Sequence, residues 1–591
     1  METPYGEVPD SFVRDMRPQE MHDFLRKRYG RRTVLKAGAI GAAAAAVGPL
    51  FWKQSSAFAA GPFAPPQWIS YGADPTSDMW VNWSAGSYNT AGVAPSPQVR
   101  WGLSSAYGNI ATATGLTVPV PASPPYSLAS GDVDDTLYLN TELTGLSPDT
   151  TYHYSVSNDG LTWGPDTTFT TGQSDPTSPW TFAVTGDEAT NTLTTSPIAQ
   201  MIANLAPAFT IIAGDLSYAS SGVVLPAGGG AQPAYSPSAW DAYFSCISPT
   251  AQSVPWLPGV GNHEMEPLTD DGYAGFVTRF PQPYDPTSGS PVVRSFRWGN
   301  VAFLQLDGND LSAEISPNNG YTGGTQTTWL TNELATYRAT GSGIDFIVVS
   351  FHNCMFCSNQ THGSDSGIRN VWQPIFDQYN VDVVFNGHVH AYERAHPIKG
   401  TTLTPAPSGS TIEPATVGTT YICAGGGGQS LYTTWYGTTT AGDSGAAALA
   451  KTNQWSGGDS ATGGVGTAQD ITDPWLASAG VSSYSANRKG NWTALSVTVT
   501  PASEGGTTTL LIEALDPTQT GGGITSVASP AVIDTVTLSR TAGPPAVTPE
   551  VGSTDLLVVA GGAVLGAGAY AMHRRHASRE QIVLPAGQRL N

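Results

Sequence analysis

Charge is scarce in this 591-residue chain. Asp, Glu, Lys and Arg make up 12% of it, and 25 basic residues face 46 acidic ones, for a formal net charge of −21. Neutralising nucleic-acid phosphates takes clustered Lys and Arg, which are missing, so the composition argues against a nucleic-acid partner. Cysteine is rarer still. Cys246, Cys354, Cys357 and Cys423 are too few for a disulfide scaffold, although in an oxidising compartment they could form two bridges in three connectivities. What is plentiful is Gly, Pro, Ser and Thr, the composition of an acidic exported protein, and the length allows roughly two to four domains.

The first stretch reads as an address. Gly30-Arg31-Arg32-Thr33-Val34-Leu35-Lys36 precedes a mildly apolar, Ala-rich run over residues 37–50, and Ala57-Phe58-Ala59 supplies a small-x-small cleavage site. Residues 1–59 resemble a twin-arginine export signal. At the other end, 541–555 is a Pro-rich linker, residues 556–572 carry no charge, and His573-Arg574-Arg575-His576 follows. Such a run sits at the short end of what spans a bilayer, and the arginines place 573–591 inside. The expectation is an enzyme exported to the outer face of the membrane, or secreted, with a C-terminal transmembrane anchor.

Residues 60–172 carry short alternating runs such as Met79-Trp80-Val81-Asn82-Trp83, separated by Gly, Pro, Ser and Asn turns, which predicts a β-sandwich. Leu146-Ser147-Pro148-Asp149-Thr150-Thr151-Tyr152 resembles a fibronectin type III corner, in which a tyrosine hydroxyl ties back to nearby backbone. A polar stretch over 171–179 separates this domain from a second one, 178–540, where the period changes.

In the second domain, apolar runs stop on chemically useful residues. Trp180-Thr181-Phe182-Ala183-Val184 ends in Thr185-Gly186-Asp187, and Ala208-Phe209-Thr210-Ile211-Ile212-Ala213 ends in Gly214-Asp215. Between them Ile198, Met201, Ile202 and Leu205 fall on one helical face, giving a β-α-β unit whose aspartates share a carboxyl edge. The design recurs at Gly261-Asn262-His263-Glu264, at Ser350-Phe351-His352 and at Asn386-Gly387-His388-Val389-His390. Trp329, Leu330, Leu334 and Tyr337, then Ile368, Val371, Trp372, Ile375 and Phe376, mark apolar faces of two intervening helices. Five strands are thus expected to deliver their ligands to one sheet edge. An extended backbone through Val389 would point His388 and His390 into one space.

The set Gly186-Asp187, Gly214-Asp215-Leu216-Ser217-Tyr218, Gly261-Asn262-His263-Glu264, Val349-Ser350-Phe351-His352 and Gly387-His388-Val389-His390 resembles the ordered motifs of the purple acid phosphatases within the calcineurin-like metallophosphoesterases. The resemblance implies an α/β fold class: a fibronectin type III-like β-sandwich followed by a four-layer αββα metallophosphoesterase domain. It implies two metal ions. Asp187, Asp215, Tyr218 and His390 would hold one, Asp215, Asn262, His352 and His388 the other. Phenolate and carboxylates favour iron(III), while Asn and imidazoles suit iron(II), zinc(II) or manganese(II). The implied reaction is hydrolysis of a small phosphate monoester by metal-bound hydroxide. A phosphodiesterase or nucleotide hydrolase using the same centre is the alternative, and a non-catalytic adhesion module a distant one. Oligomeric state is open.

His263 and His362 are catalytic candidates: His263, fixed at the cluster by following Asn262, as proton donor to the leaving oxygen, with Glu264 or a more distant carboxylate keeping it charged, and His362, by the same resemblance, toward the phosphate. Ala189 stands where the family carries glycine, a change tolerated unless the backbone needs positive φ. Glu188 is expected to be solvated. Cys354-Met355-Phe356-Cys357 is expected to close a local disulfide that stiffens the loop after His352.

Overall fold

The computed structural model describes residues 64–544 apart from 88–95, 118–126, 129–135, 175–176, 221–233, 267–271, 436–483 and positions 316, 360, 363, 434 and 521, together with short strand pairs at 2–3 and 6–7. Nearly all of the export signal, most of the Pro-rich linker, the 556–572 segment and the tail lie outside the described residues. Among the described residues no helix is long and apolar enough to cross a membrane.

Two four-stranded antiparallel sheets form the N-terminal part. One orders Gln67–Tyr71, Met79–Ser87, Thr136–Leu143 and Thr114–Thr117; the other orders Thr167–Thr170, Thr151–Ser157, Gln98–Gly102 and Asn109–Thr112. Alternation explains the packing: Ile69, Val81, Trp83, Leu139, Tyr154 and Val156 are fully buried in one core. At the corner the Tyr152 hydroxyl accepts from Ser147 N at 2.9 Å, the tie that the sequence suggests. Trp68 stacks on Phe244 with centroids 3.7 Å apart and donates Nε1–H to Arg279 O at 3.0 Å, so the sandwich is joined to the second domain through a dry aromatic contact.

The second domain has four layers. Strands Trp180–Thr185, Thr210–Ile212 and Trp256–Pro258 run parallel in one seven-stranded sheet, and Ala494–Thr500, Thr507–Thr520 and Gly523–Thr541 extend it in antiparallel fashion. A second seven-stranded sheet holds Val301–Gln305, Phe346–Ser350, Val383–Asn386 and Thr420–Ala424 in parallel. The expectation of a single ligand-bearing edge is therefore corrected: three motif strands belong to one sheet and two to the other.

Period-two alternation sorts each strand between two environments. Phe182, Val184, Phe303, Val348, Val383 and Phe385 face the core between the sheets, where Phe182 meets Phe303 edge-on at 5.1 Å. Ala183 and Ile212 face helices Thr195–Asn204 and Ser238–Ala251, while Ala302, Leu304, Ile347, Val349 and Val384 face helices Thr325–Tyr337 and Ser366–Tyr379. Of the expected apolar helix faces, Val371 is the exception, being 38% exposed.

Candidate metal centre

Each motif strand ends two to four residues before its functional side chain, and the chain then turns sharply. Asp187, Ala189, Asp215, Tyr218 and His388 all have positive φ, between 55° and 70°. Left-handed backbone lets the first two loops run side by side: Asp187 N donates to Gly214 O, Glu188 N to Asp215 O and Ala189 N to Leu216 O, at 2.7–3.0 Å. Ala189, at φ 64°, thus occupies the strained case in which its methyl is costly.

The last loop departs from the extended geometry expected of it. The strand stops at Asn386, and Val389 N returns to Gly387 O at 2.8 Å, a three-residue turn centred on His388 at φ 70°. Turns, not strand alternation, bring His388 and His390 inward. Gly387 has no room for a side chain: a Cβ there would lie 2.7 Å from both Ala213 O and an Asp187 carboxylate oxygen. Both Asp187 oxygens accept from His388 N, at 2.8 and 3.1 Å.

All seven candidate ligands come together. On one side His352 Nε2 is 3.1 Å from Asp215 Oδ2, 3.1 Å from Asn262 Oδ1 and 3.2 Å from His388 Nδ1. On the other, Tyr218 Oη is 3.0 Å from His390 Nε2 and 3.3 Å from Asp187 Oδ1. The outer nitrogens define the tautomers. His352 Nδ1 is committed to Ala213 O at 2.7 Å and His390 Nδ1 to Ser430 O at 2.7 Å, so each carries hydrogen there and turns Nε2 inward. His388 Nε2 faces Glu314 Oε2 at 3.2 Å, which leaves Nδ1 inward.

The inner faces are therefore crowded with acceptors. Burial lowers the His352 pKa, but Asp215 and Asp187 outweigh it and push the ring up to about 10, so in the metal-free chain one Nε2 proton serves three acceptors. Burial and the neighbouring His362 pull His388 down to about 4 against the pull of Glu314, and burial pulls His390 well down, which keeps both rings neutral. A cation in place of that proton satisfies the whole set, and hard oxygen donors beside imidazoles suit the metals that the motifs imply.

His263 lies against the Tyr218 ring at 4.2 Å, with its backbone N bound to Asp215 Oδ1 at 2.9 Å. Its Nδ1 contacts Ser220 O at 2.8 Å, leaving Nε2 4.0 Å from Asp215 Oδ2. Glu264 does not support this ring, contrary to one expectation. Its carboxylate turns the other way and accepts from Asp215 N, Leu216 N and Gly261 N at 2.7–2.8 Å, tying the second and third loops together. Burial lowers the His263 pKa and Asp215 opposes it. His362 sits on the opposite flank, 4.1 Å from the His388 ring.

Two further expectations are corrected. Glu188 is buried at 1% exposure, where burial raises its carboxyl to about 8 and Tyr243 Oη donates to it at 2.5 Å. Cys354 and Cys357 are free thiols. Cys354 Sγ donates to Gly387 O at 3.0 Å and Cys357 Sγ to Glu393 Oε2 at 3.2 Å, so each thiol has a partner without a bridge.

Sequence reasoning missed Glu314 and Tyr432. Tyr432 stacks on His390 at 4.1 Å and 11°, and its N donates to His390 O at 2.9 Å. Neither stands in a recognisable motif. The strand Val301–Gln305, which leads to the Glu314 loop, was open to detection as a five-residue apolar run, but no ligand motif follows it.

Comparison with known proteins bears on this centre. Residues 67–171 match the family model "Purple acid Phosphatase, N-terminal domain" and residues 182–392 match "Calcineurin-like phosphoesterase". An uncharacterized protein of Mycobacterium tuberculosis is 31% identical over 70% of this chain and 81% of its own length. Purple acid phosphatase 23 of Arabidopsis thaliana is 28% identical over 62% of this chain and 79% of its own. Among solved structures, a purple acid phosphatase from yellow lupin (Lupinus luteus) seeds superposes with a TM-score of 0.56 at 18% identity, covering 83% of this chain and 78% of that one.

Proposed function

The chain belongs to the purple acid phosphatases of the calcineurin-like phosphoesterases, and from that premise we propose that it hydrolyses small phosphate monoesters, best at acidic pH, at an iron(III)–divalent metal centre. The observation that supports the reading most is the convergence of His352 Nε2, His388 Nδ1, Asn262 Oδ1 and Asp215 Oδ2 within hydrogen-bond distance of one another around His352 Nε2. Asp187, Asp215, Tyr218 and His390 would hold the iron(III), and Asp215, Asn262, His352 and His388 the divalent ion. When bound, two such ions activate water and neutralise phosphate oxygens in an in-line displacement.

The chain's own groups do the rest. His263, its backbone tied to Asp215, holds a proton at Nε2 for the departing alkoxide, an effect typically worth about 10²–10⁴-fold. Because burial lowers its pKa, the charged form belongs to acidic pH. His362, on the far flank, binds and orients the phosphate. Half-buried Tyr432 covers one face of the His390 ring.

Metal analysis of purified protein, paired with rates on p-nitrophenyl phosphate and its bis ester, tests this reading. Two ions per chain with a monoester preference are expected; faster diester hydrolysis favours the phosphodiesterase alternative, and an active metal-free preparation overturns the metal reading. We extend the proposal to export, on Arg31-Arg32 and the uncharged 556–572 run alone. Lys at both arginines should leave the precursor inside, and truncation before residue 556 should release soluble enzyme; unaltered export or continued membrane fractionation would refute the respective assignment.

A further inference from the structure

We propose that Glu314 is the positioning residue of this centre, one carboxylate that holds His388 for the metal and His362 for the substrate. The inference rests on the dinuclear reading above and adds to it a residue from outside the motifs.

Glu314 follows strand Val301–Gln305, and its side chain is 4% exposed. Its oxygens are divided between two rings: Oε1 lies 2.5 Å from His362 Nδ1 and Oε2 3.2 Å from His388 Nε2. An ionised carboxylate can only accept, so each contact assigns a hydrogen to the facing nitrogen. His388 is thereby left with a bare Nδ1 toward His352 and Asp215, and His362 with Nε2 away from Glu314. One bidentate acceptor thus determines which atom each ring presents, and keeps the rings 4.1 Å apart at 40°.

The placement is built rather than incidental. The Asp365 carboxylate accepts from Ser312 Oγ at 2.6 Å, Ala313 N at 3.0 Å and Glu314 N at 3.3 Å, and it also caps helix Ser366–Tyr379 through Gly367 N at 2.9 Å and Ile368 N at 3.3 Å. The Glu314 loop and the segment leading from His362 into that helix therefore hang on one carboxylate. Gly367 allows the approach: a Cβ there would lie 2.3 Å from Leu311 O. A buried carboxylate without such partners is costly, so this arrangement is not incidental.

Outer carboxylates of this kind typically change metal affinity or activity by about 10–100-fold. E314Q keeps the size but can accept from only one ring. In the full-length holoprotein, we expect E314Q to lose one of its two ions to EDTA about 10–100 times faster than wild type, and to raise KM for p-nitrophenyl phosphate. Adding H362A to E314Q should raise KM less than H362A does alone, because the ring is already unpositioned. A wild-type measurement covers the case in which E314Q does not fold: nitrogen-15 histidine spectra of a di-zinc form should show His388 bound through Nδ1 and His352 through Nε2.

Wild-type chelator kinetics in E314Q with additive KM effects would overturn the proposal, as would His388 bound through Nε2. So would three ions per chain with only the third lost in E314Q, since Glu314, His362 and His388 would then be ligands themselves. Wild-type protein devoid of metal would instead sink the dinuclear reading on which the proposal rests.

Discussion

His388 Nδ1 and His352 Nε2 face one another at 3.2 Å, and the Asp215 and Asp187 carboxylates beside them favour a proton on His352. Two imidazole nitrogens so placed need a cation, whether a proton or a metal ion. In this centre the two compete for the same position.

Metal uptake should therefore release protons. With His352 pushed up to about 10, its ring is charged at neutral pH in the metal-free chain, and binding must displace that proton. The sign follows: affinity at this site should fall as pH drops, by up to about tenfold per unit below the raised pKa. Zinc titration of chelated protein in weak buffer with an indicator dye should register about one proton from this ring. No release would show that His352 is not a ligand.

Colour should depend on Tyr218. Burial, followed by Asp187 and Asp215, raises the phenol well above its ordinary value of 10.0, so only a strongly charged cation makes it a phenolate. With iron(III) bound, phenolate charge transfer should give a purple band, and Tyr218→Phe should remove it while iron content is retained. A variant with an unchanged band would take Tyr218 out of the ligand set.

Ala189→Gly should stabilise the fold. A left-handed L-residue costs roughly 1–2 kcal/mol, and glycine gives back about 0.5–1 kcal/mol in unfolded-state entropy, so the net gain is about 0–1.5 kcal/mol. Urea unfolding of the chelated protein would read it as a higher midpoint at constant slope. A lower midpoint would mean that the methyl's contacts outweigh the strain.

His263→Ala should slow alkyl phosphates far more than activated aryl phosphates, by about 10²–10⁴-fold for the former, with metal content intact. In wild type, burial lowers the His263 pKa from its ordinary value, so the alkyl-ester rate should decline as pH rises through that lowered pKa. Equal losses across leaving groups would return His263 to a structural role beside Asp215.

Much of the fold was legible because its information is local. Trp180–Thr185, Thr210–Ile212, Phe346–Ser350 and Val383–Asn386 are short apolar runs, each ended by a turn that carries an acid or imidazole, and a buried strand followed by such a residue needs no distant context to be recognised. The Tyr152 corner was legible for the same reason, its partner lying 5 residues away. Glu314 was not, since a lone glutamate in a loop carries no period, and its contact with His388 spans 74 residues.

The sequence by itself determined which donors this protein offers and in what order, because side-chain chemistry and strand-to-turn punctuation are written residue by residue. Only the tertiary structure decided that the motif strands divide between two sheets, that His388 turns inward on a left-handed residue, that Cys354 and Cys357 stay unbridged, and that Glu314 links two rings. Each of those depends on which backbone and side-chain groups meet across the closed core, where burial makes an unpaired acceptor costly.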